Sequence, residues 1–144
     1  MDTTPLTDTD RDLVDRVVET NEKSFDDELL DGAHIVAAGV RTADGSVYEG
    51  VSLPASIGRA SLCAEPVAIG SAIADGYSHG DVQTCVAVSY PMPDHDADEV
   101  RTVPPCGVCR EMLVDYNDQM RVIIPVEGAN RVARAVELLP GRTW

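Results

Sequence analysis

Three of the four cysteines of this 144-residue chain lie in two short stretches, "LCAEPV" at 62–67 and "PPCGVCREM" at 104–112. Glu65 follows Cys63 by two residues, and Cys106 directly follows Pro104 and Pro105, with Cys109 three residues further on. Both stretches read as helix openings. A helix start offers unpaired N–H groups and the positive end of a dipole, which favour thiolate, the form that binds metal. Cys106 and Cys109 can grip one ion from a single turn, and Cys63 can complete the set from a second helix. Three thiolates leave a tetrahedral Zn²⁺ one open position, as in catalytic rather than closed structural sites. Zinc brings the pKa of water at such a position to about 7. A carboxyl group at Glu65 can then carry protons to and from a reacting group.

Other readings of the cysteines are weaker. "CGVC" alone would suit a redox dithiol, but that leaves Cys63 and Glu65 without a role. A structural zinc site would need a fourth ligand. Cys85 sits within the apolar run "TCVAV" and reads as a core residue. His79 and His95 fall in turns or loops and read as surface residues.

The elements that must position these residues follow from periodicity. Residues 7–30 read as a helix capped by Thr7 or Asp8, with Leu13, Val14, Val17, Val18, Phe25 and Leu29 at helical spacing. A buried strand is expected at 33–42, an Asp-Gly hairpin turn after it, and a return strand at 47–53. Then come a helix at 62–76, a strand at 82–90, a Pro- and Asp-rich loop at 91–105, a helix at 107–117, a strand at 121–128 and a tail. Helices alternating with strands after a hairpin predict an α/β protein, a three-layer α/β/α sandwich on a mixed sheet, in a single domain over 1–144.

Composition narrows the partners. The chain has 16 Asp, 9 Glu, 10 Arg and one Lys, Lys23, for a formal net charge of -14. Such a surface repels nucleic acid polymers and anionic membranes. Its Asp-rich, Lys-poor balance suits a salt-rich cell, where screening relieves self-repulsion. The polar, acidic start has no apolar segment of a signal peptide, and no apolar run approaches a membrane span. The chain therefore reads as cytoplasmic, where thiols stay reduced.

"CAE" followed by "PCGVCR" resembles the zinc-dependent cytidine deaminase superfamily, with the small cytidine and blasticidin-S deaminases the most similar. The likeness spans roughly residues 33–140, including "HIVAAGV" and "ELLP". It implies a cytidine deaminase-like fold, Cys63, Cys106 and Cys109 as zinc ligands, and Glu65 as the proton shuttle. It implies a homotetramer whose pockets borrow residues from neighbouring subunits. The substrate would be a small aminopyrimidine, by default cytidine or 2′-deoxycytidine. Blasticidin S or another modified amino-heterocycle is the alternative, and a non-catalytic zinc-containing ligand-binding module the alternative of another class. The family often carries a base-stacking aromatic where this chain has His34, and Ala64 falls among its substrate contacts. Arg110 matches an arginine that donates hydrogen bonds toward the thiolates.

The chain departs from the pattern on the second strand. Nucleoside-specific members hold the sugar hydroxyls with an Asn and a Glu, and here Ser52 and Pro54 take their places. Ser52 still offers one hydrogen bond, whereas Pro54 offers no side-chain acceptor. Pro66 stands where many cytidine deaminases place an arginine, a loss that Arg59 or Arg110 would offset. The "ELLPGRTW" ending leans toward the blasticidin type.

Overall fold

The computed structural model describes residues 1–142. Helix α1 spans Asp8–Ser24. Thr7 caps it, accepting from the Asp10 amide while the Asp10 carboxylate accepts from the Thr7 amide. The helix ends six residues short of the expectation. Phe25 leaves it to stack on Tyr90, with ring centroids 3.8 Å apart. Asp26 then turns the chain by accepting from the amides of Glu28 and Leu29, and its backbone pairs with Ala33.

A mixed sheet follows: β1 (Val36–Thr42), β2 (Val47–Val51), β3 (Val82–Ser89), β4 (Arg101–Val103), β5 (Arg121–Val126) and β6 (Ala129–Arg134). Its order is β2-β1-β3-β5-β6, and β4 pairs with one end of β3. Among the described residues only the β3–β5 pair is parallel. Two strands escaped the sequence reading. β4 lies inside the Pro- and Asp-rich loop, and β6 returns from β5 after a tight turn at Glu127 and Gly128. The tail then opens with a short 3-10 turn at Ala135–Leu138, while Thr143 and Trp144 of the "ELLPGRTW" ending lie outside the described residues.

Alternation along the strands divides the core. Leu13 and Val17 of α1 pack on one face with Ala37, Val86, Val88 and Ile123. The other face carries α2 (Ala64–Ala74) and α3 (Gly107–Tyr116), packed over Ala38, Val40, Cys85, Ala87 and Val122. The result is the predicted three-layer α/β/α sandwich.

Two glycines set how closely the layers approach. A Cβ on Gly39 would run into the Val17 side chain, and one on Gly50 would meet the Ala68 backbone nitrogen at 2.5 Å. The second contact seats α2 directly on β2. Ala64, Ala68 and Ala72 face the sheet there, while Gly70, Ser71 and Ala74 face outward. Buried Asp10 pairs with Arg121 on β5 and lies 4.0 Å from Arg41 on β1, which ties α1 across the sheet. No helix among the described residues is long and apolar enough to cross a membrane.

Candidate metal centre

Both cysteine stretches open helices, as their prolines and spacing predict. Cys63 is the residue capping α2, and Cys106 the one capping α3. Because α2 and α3 lie side by side on one sheet face, their starts converge. The sulfurs of Cys63, Cys106 and Cys109 all lie within 4.8 Å of one another, and Cys63 and Cys106 are 3.6 Å apart. Four ligands at about 2.3 Å around a tetrahedral ion stand about 3.8 Å apart, so the donor set fits zinc in both chemistry and spacing.

The thiols are not equivalent. Burial raises the pKa of Cys106, but the backbone N–H groups of Cys109 and Val108 and the neighbouring thiols outweigh it, and the net shift is downward. Burial pushes Cys109 and Cys63 upward, with nearby negative charge adding to the rise. The helix start therefore favours thiolate at Cys106, whereas deprotonation of the other two belongs to metal binding. Glu65 is 4% exposed. Burial raises its pKa, against the opposing pull of its own backbone N–H and the Cys109 thiol.

These residues border a cavity of about 450 Å³. Cys63, Ala64, Glu65 and Cys106 form one side, with Ala64 fully buried at the first turn of α2. His34, Ser52 and Pro54 form another. His34 is half-buried with φ 57°, so β1 begins after it, at Val36, and not at Ala33 as expected. Its Nδ1 lies 2.8 Å from the Ser52 carbonyl oxygen. The Ser52 hydroxyl accepts from the Val36 amide.

Arg110 departs from expectation. Its guanidinium donates to the carbonyl oxygens of Pro105 and Leu138 rather than to sulfur. It clamps the turn that presents Cys106, so its influence on the cage runs through the backbone. Arg59 is exposed and makes no ion pair among the described residues. Cys85 is 1% exposed in the core, away from the cluster. His79 is exposed, whereas His95 is half-buried and accepts from the Met92 amide. The acidic part of the 91–105 loop stays off the cavity, but Val103 and Pro104 line it.

Sequence reading missed the pairing of Leu53 with Leu62, made by two backbone hydrogen bonds of 2.9 and 3.0 Å. That bridge brings the end of β2 against the residue before Cys63 and closes the cavity wall. One pair between irregular segments leaves no periodic signature.

The cytidine and deoxycytidylate deaminase zinc-binding region matches as a family model over residues 7–125. A blasticidin-S deaminase of Bacillus cereus is 40% identical over 110 residues, 76% of this chain and 77% of that protein. A cytidine deaminase of Sporosarcina psychrophila is 29% identical over 108 residues, 74% of this chain and 72% of that protein. The crystal structure of cytidine deaminase from Burkholderia pseudomallei matches with a TM-score of 0.72 and 25% identity, covering 96% of this chain and 100% of that chain.

Proposed function

The chain belongs to the zinc-dependent cytidine and deoxycytidylate deaminase family, and from that premise we propose that it hydrolytically deaminates cytidine or 2′-deoxycytidine. The observation that carries this reading is a three-thiol cage beside a buried carboxyl group at the edge of a cavity. Cys63, Cys106 and Cys109 would hold the zinc. Bound zinc supplies Lewis acidity that makes water nucleophilic near neutral pH.

Glu65 accepts a proton from the attacking water and delivers it to the ring nitrogen next to the amine-bearing carbon. The water oxygen bonds to that carbon, the carbon–nitrogen bond breaks, and Glu65 moves the second proton onto departing ammonia. Burial suits this carboxyl to the work, because a raised pKa lets it both take and give a proton. Arg110 holds Pro105, and with it the turn that carries Cys106.

A second reading, blasticidin S or another modified aminopyrimidine as substrate, is favoured by Pro54. It occupies the wall where the family resemblance places a sugar-binding Glu. The 40% identity to a blasticidin-S deaminase points the same way.

The fold is read as one domain that assembles into a homotetramer. Exposed Leu62 and Val108, beside and between the cysteines, support a neighbouring subunit covering this corner. Four free cysteines suit a reducing cytoplasm. The test is ammonia release by zinc-loaded protein in high salt, over cytosine, cytidine, deoxycytidine, blasticidin S and guanine. Turnover of cytidine or deoxycytidine is expected. Turnover of blasticidin S alone selects the second reading, and silence across the panel at full zinc loading overturns both.

A further inference from the structure

His34 holds an unusual backbone conformation next to the cavity. A positive φ is uncommon outside glycine, although His is among the residues that tolerate it. The surrounding bonds keep it there. The carbonyl of Ile35 accepts from both the Asn21 side chain and the Tyr90 amide. Val36 and Ser52 then exchange two hydrogen bonds, Val36 N–H to Ser52 Oγ at 3.1 Å and Ser52 N–H to the Val36 carbonyl at 2.8 Å. Strain held this firmly at a cavity wall directs attention to the side chain it presents.

The ring has one fixed nitrogen. A carbonyl oxygen only accepts, so Nδ1 carries the hydrogen that bonds Ser52. In the neutral ring Nε2 is then a bare acceptor. It has no hydrogen-bond partner among the described residues and is not sealed from solvent, and the Asp26 carboxylate is the charged group that feels the ring. The Ser52 hydroxyl is in the complementary state. Its oxygen already accepts from Val36, and its hydrogen is uncommitted among the described residues. The same wall therefore offers one acceptor and one donor.

We infer that His34 Nε2 and the Ser52 hydroxyl form a recognition pair for a hydroxyl or amide on the substituent of the substrate's heterocycle, the substrate donating to His34 and accepting from Ser52. The inference rests on the deaminase reading and gives its cavity a specificity element. His34 acts here as a hydrogen-bonding residue, a role that a stacking phenyl ring could not fill. The pair stands beside Pro54, which has no side-chain polar group to offer.

The test compares wild type, His34→Phe, His34→Gln and Ser52→Ala, each zinc-loaded. The substrates are cytidine (hydroxyls), a cytosine bearing a carbamoylmethyl group on N1 (amide) and 1-methylcytosine (neither). His34→Phe should raise KM for the first two about 10- to 100-fold, with kcat within about threefold and 1-methylcytosine unaffected. His34→Gln, which keeps an acceptor, should recover part of the loss, and Ser52→Ala should show the same substrate pattern more weakly. Nitrogen-15 NMR of the histidine rings reads binding without turnover. It should show hydrogen on Nδ1 of His34, and addition of either substituted cytosine to the Glu65→Gln protein should move the Nε2 resonance. An Nε2–H or doubly protonated ring overturns the proposal, as does an equal loss on 1-methylcytosine or an unmoved Nε2 signal. If Nε2 responds to ligand while no substrate is turned over, the recognition pair survives and the deaminase reading fails.

Discussion

The cavity has two unlike walls. One is made by the starts of α2 and α3, where Cys63, Glu65, Cys106 and Cys109 sit within a few residues of helix caps. The other is made by an irregular entry to β1 and the frayed end of β2, where His34, Ser52 and Pro54 meet. The first wall bears the thiols and the carboxyl group that the proposed reaction uses. The second offers an imidazole nitrogen and a hydroxyl beside apolar neighbours. In the proposed reading, reaction type and substrate choice rest on different elements, and each can be altered while the other stays intact.

The sharpest way to break that division is to open the cage. Cys109→Ser should lose zinc on dialysis and abolish turnover, whereas Cys85→Ala should keep one zinc per chain, both read by metal analysis. Zinc retained by the Cys109 variant would remove that residue from the ligand set. Glu65→Gln comes next: ammonia release should fall by about three orders of magnitude with zinc content unchanged. A parallel loss of zinc would make Glu65 part of the cage.

A change away from both walls provides a control. Asp10→Asn should destabilise the fold by roughly 1.5–3 kcal/mol in urea unfolding, since it removes the charge to which Arg121 donates. KM for the preferred substrate should not move. The pH dependence has a definite sign. Burial raises the Asp10 pKa, but Thr7 and Arg121 more than offset it, so the folded value lies below the ordinary one. The stabilisation is complete above the ordinary carboxylate range and is lost as pH falls through the folded pKa. Acid titration of stability should therefore be flatter in the Asn variant.

On the second wall, Pro54→Glu should lower KM for cytidine by about tenfold by supplying a carboxylate for a sugar hydroxyl, and leave kcat nearly unchanged. The smallest effect concerns neither wall. Raising KCl from 0.1 M to 1 M should lift the melting temperature by a few degrees, because the net charge of -14 is then screened over about 3 Å instead of about 10 Å.

Legibility followed the same division. Cys63, Glu65, Cys106 and Cys109 were readable because each pair belongs to one local motif, and prolines and periodicity mark the helix starts. The hairpin of β1 and β2 and the run of β3 were readable from alternation. Strand β6 was not, since "ANRVAR" has weak alternation and its only turn signal is Glu127–Gly128. Helix α1 stops at Ser24 because Phe25 finds Tyr90, a partner 65 positions away. The Arg110 clamp was misread for a similar reason: its acceptors are backbone carbonyls, one of them on the tail at Leu138.

What sequence alone supplied was the donor set: three thiols and a carboxyl group whose spacing and helix-start positions suit one metal ion and one proton carrier. Tertiary structure decided the convergence and the shape. Gly50 seats α2 on β2, adjacent α2 and α3 bring Cys63 to within 3.6 Å of Cys106, and the Leu53–Leu62 bridge closes the cavity wall. The physical reason is range. Thiolate chemistry and helix capping act within one turn of chain, whereas the facing of one wall to another depends on backbone contacts between segments that no local pattern links.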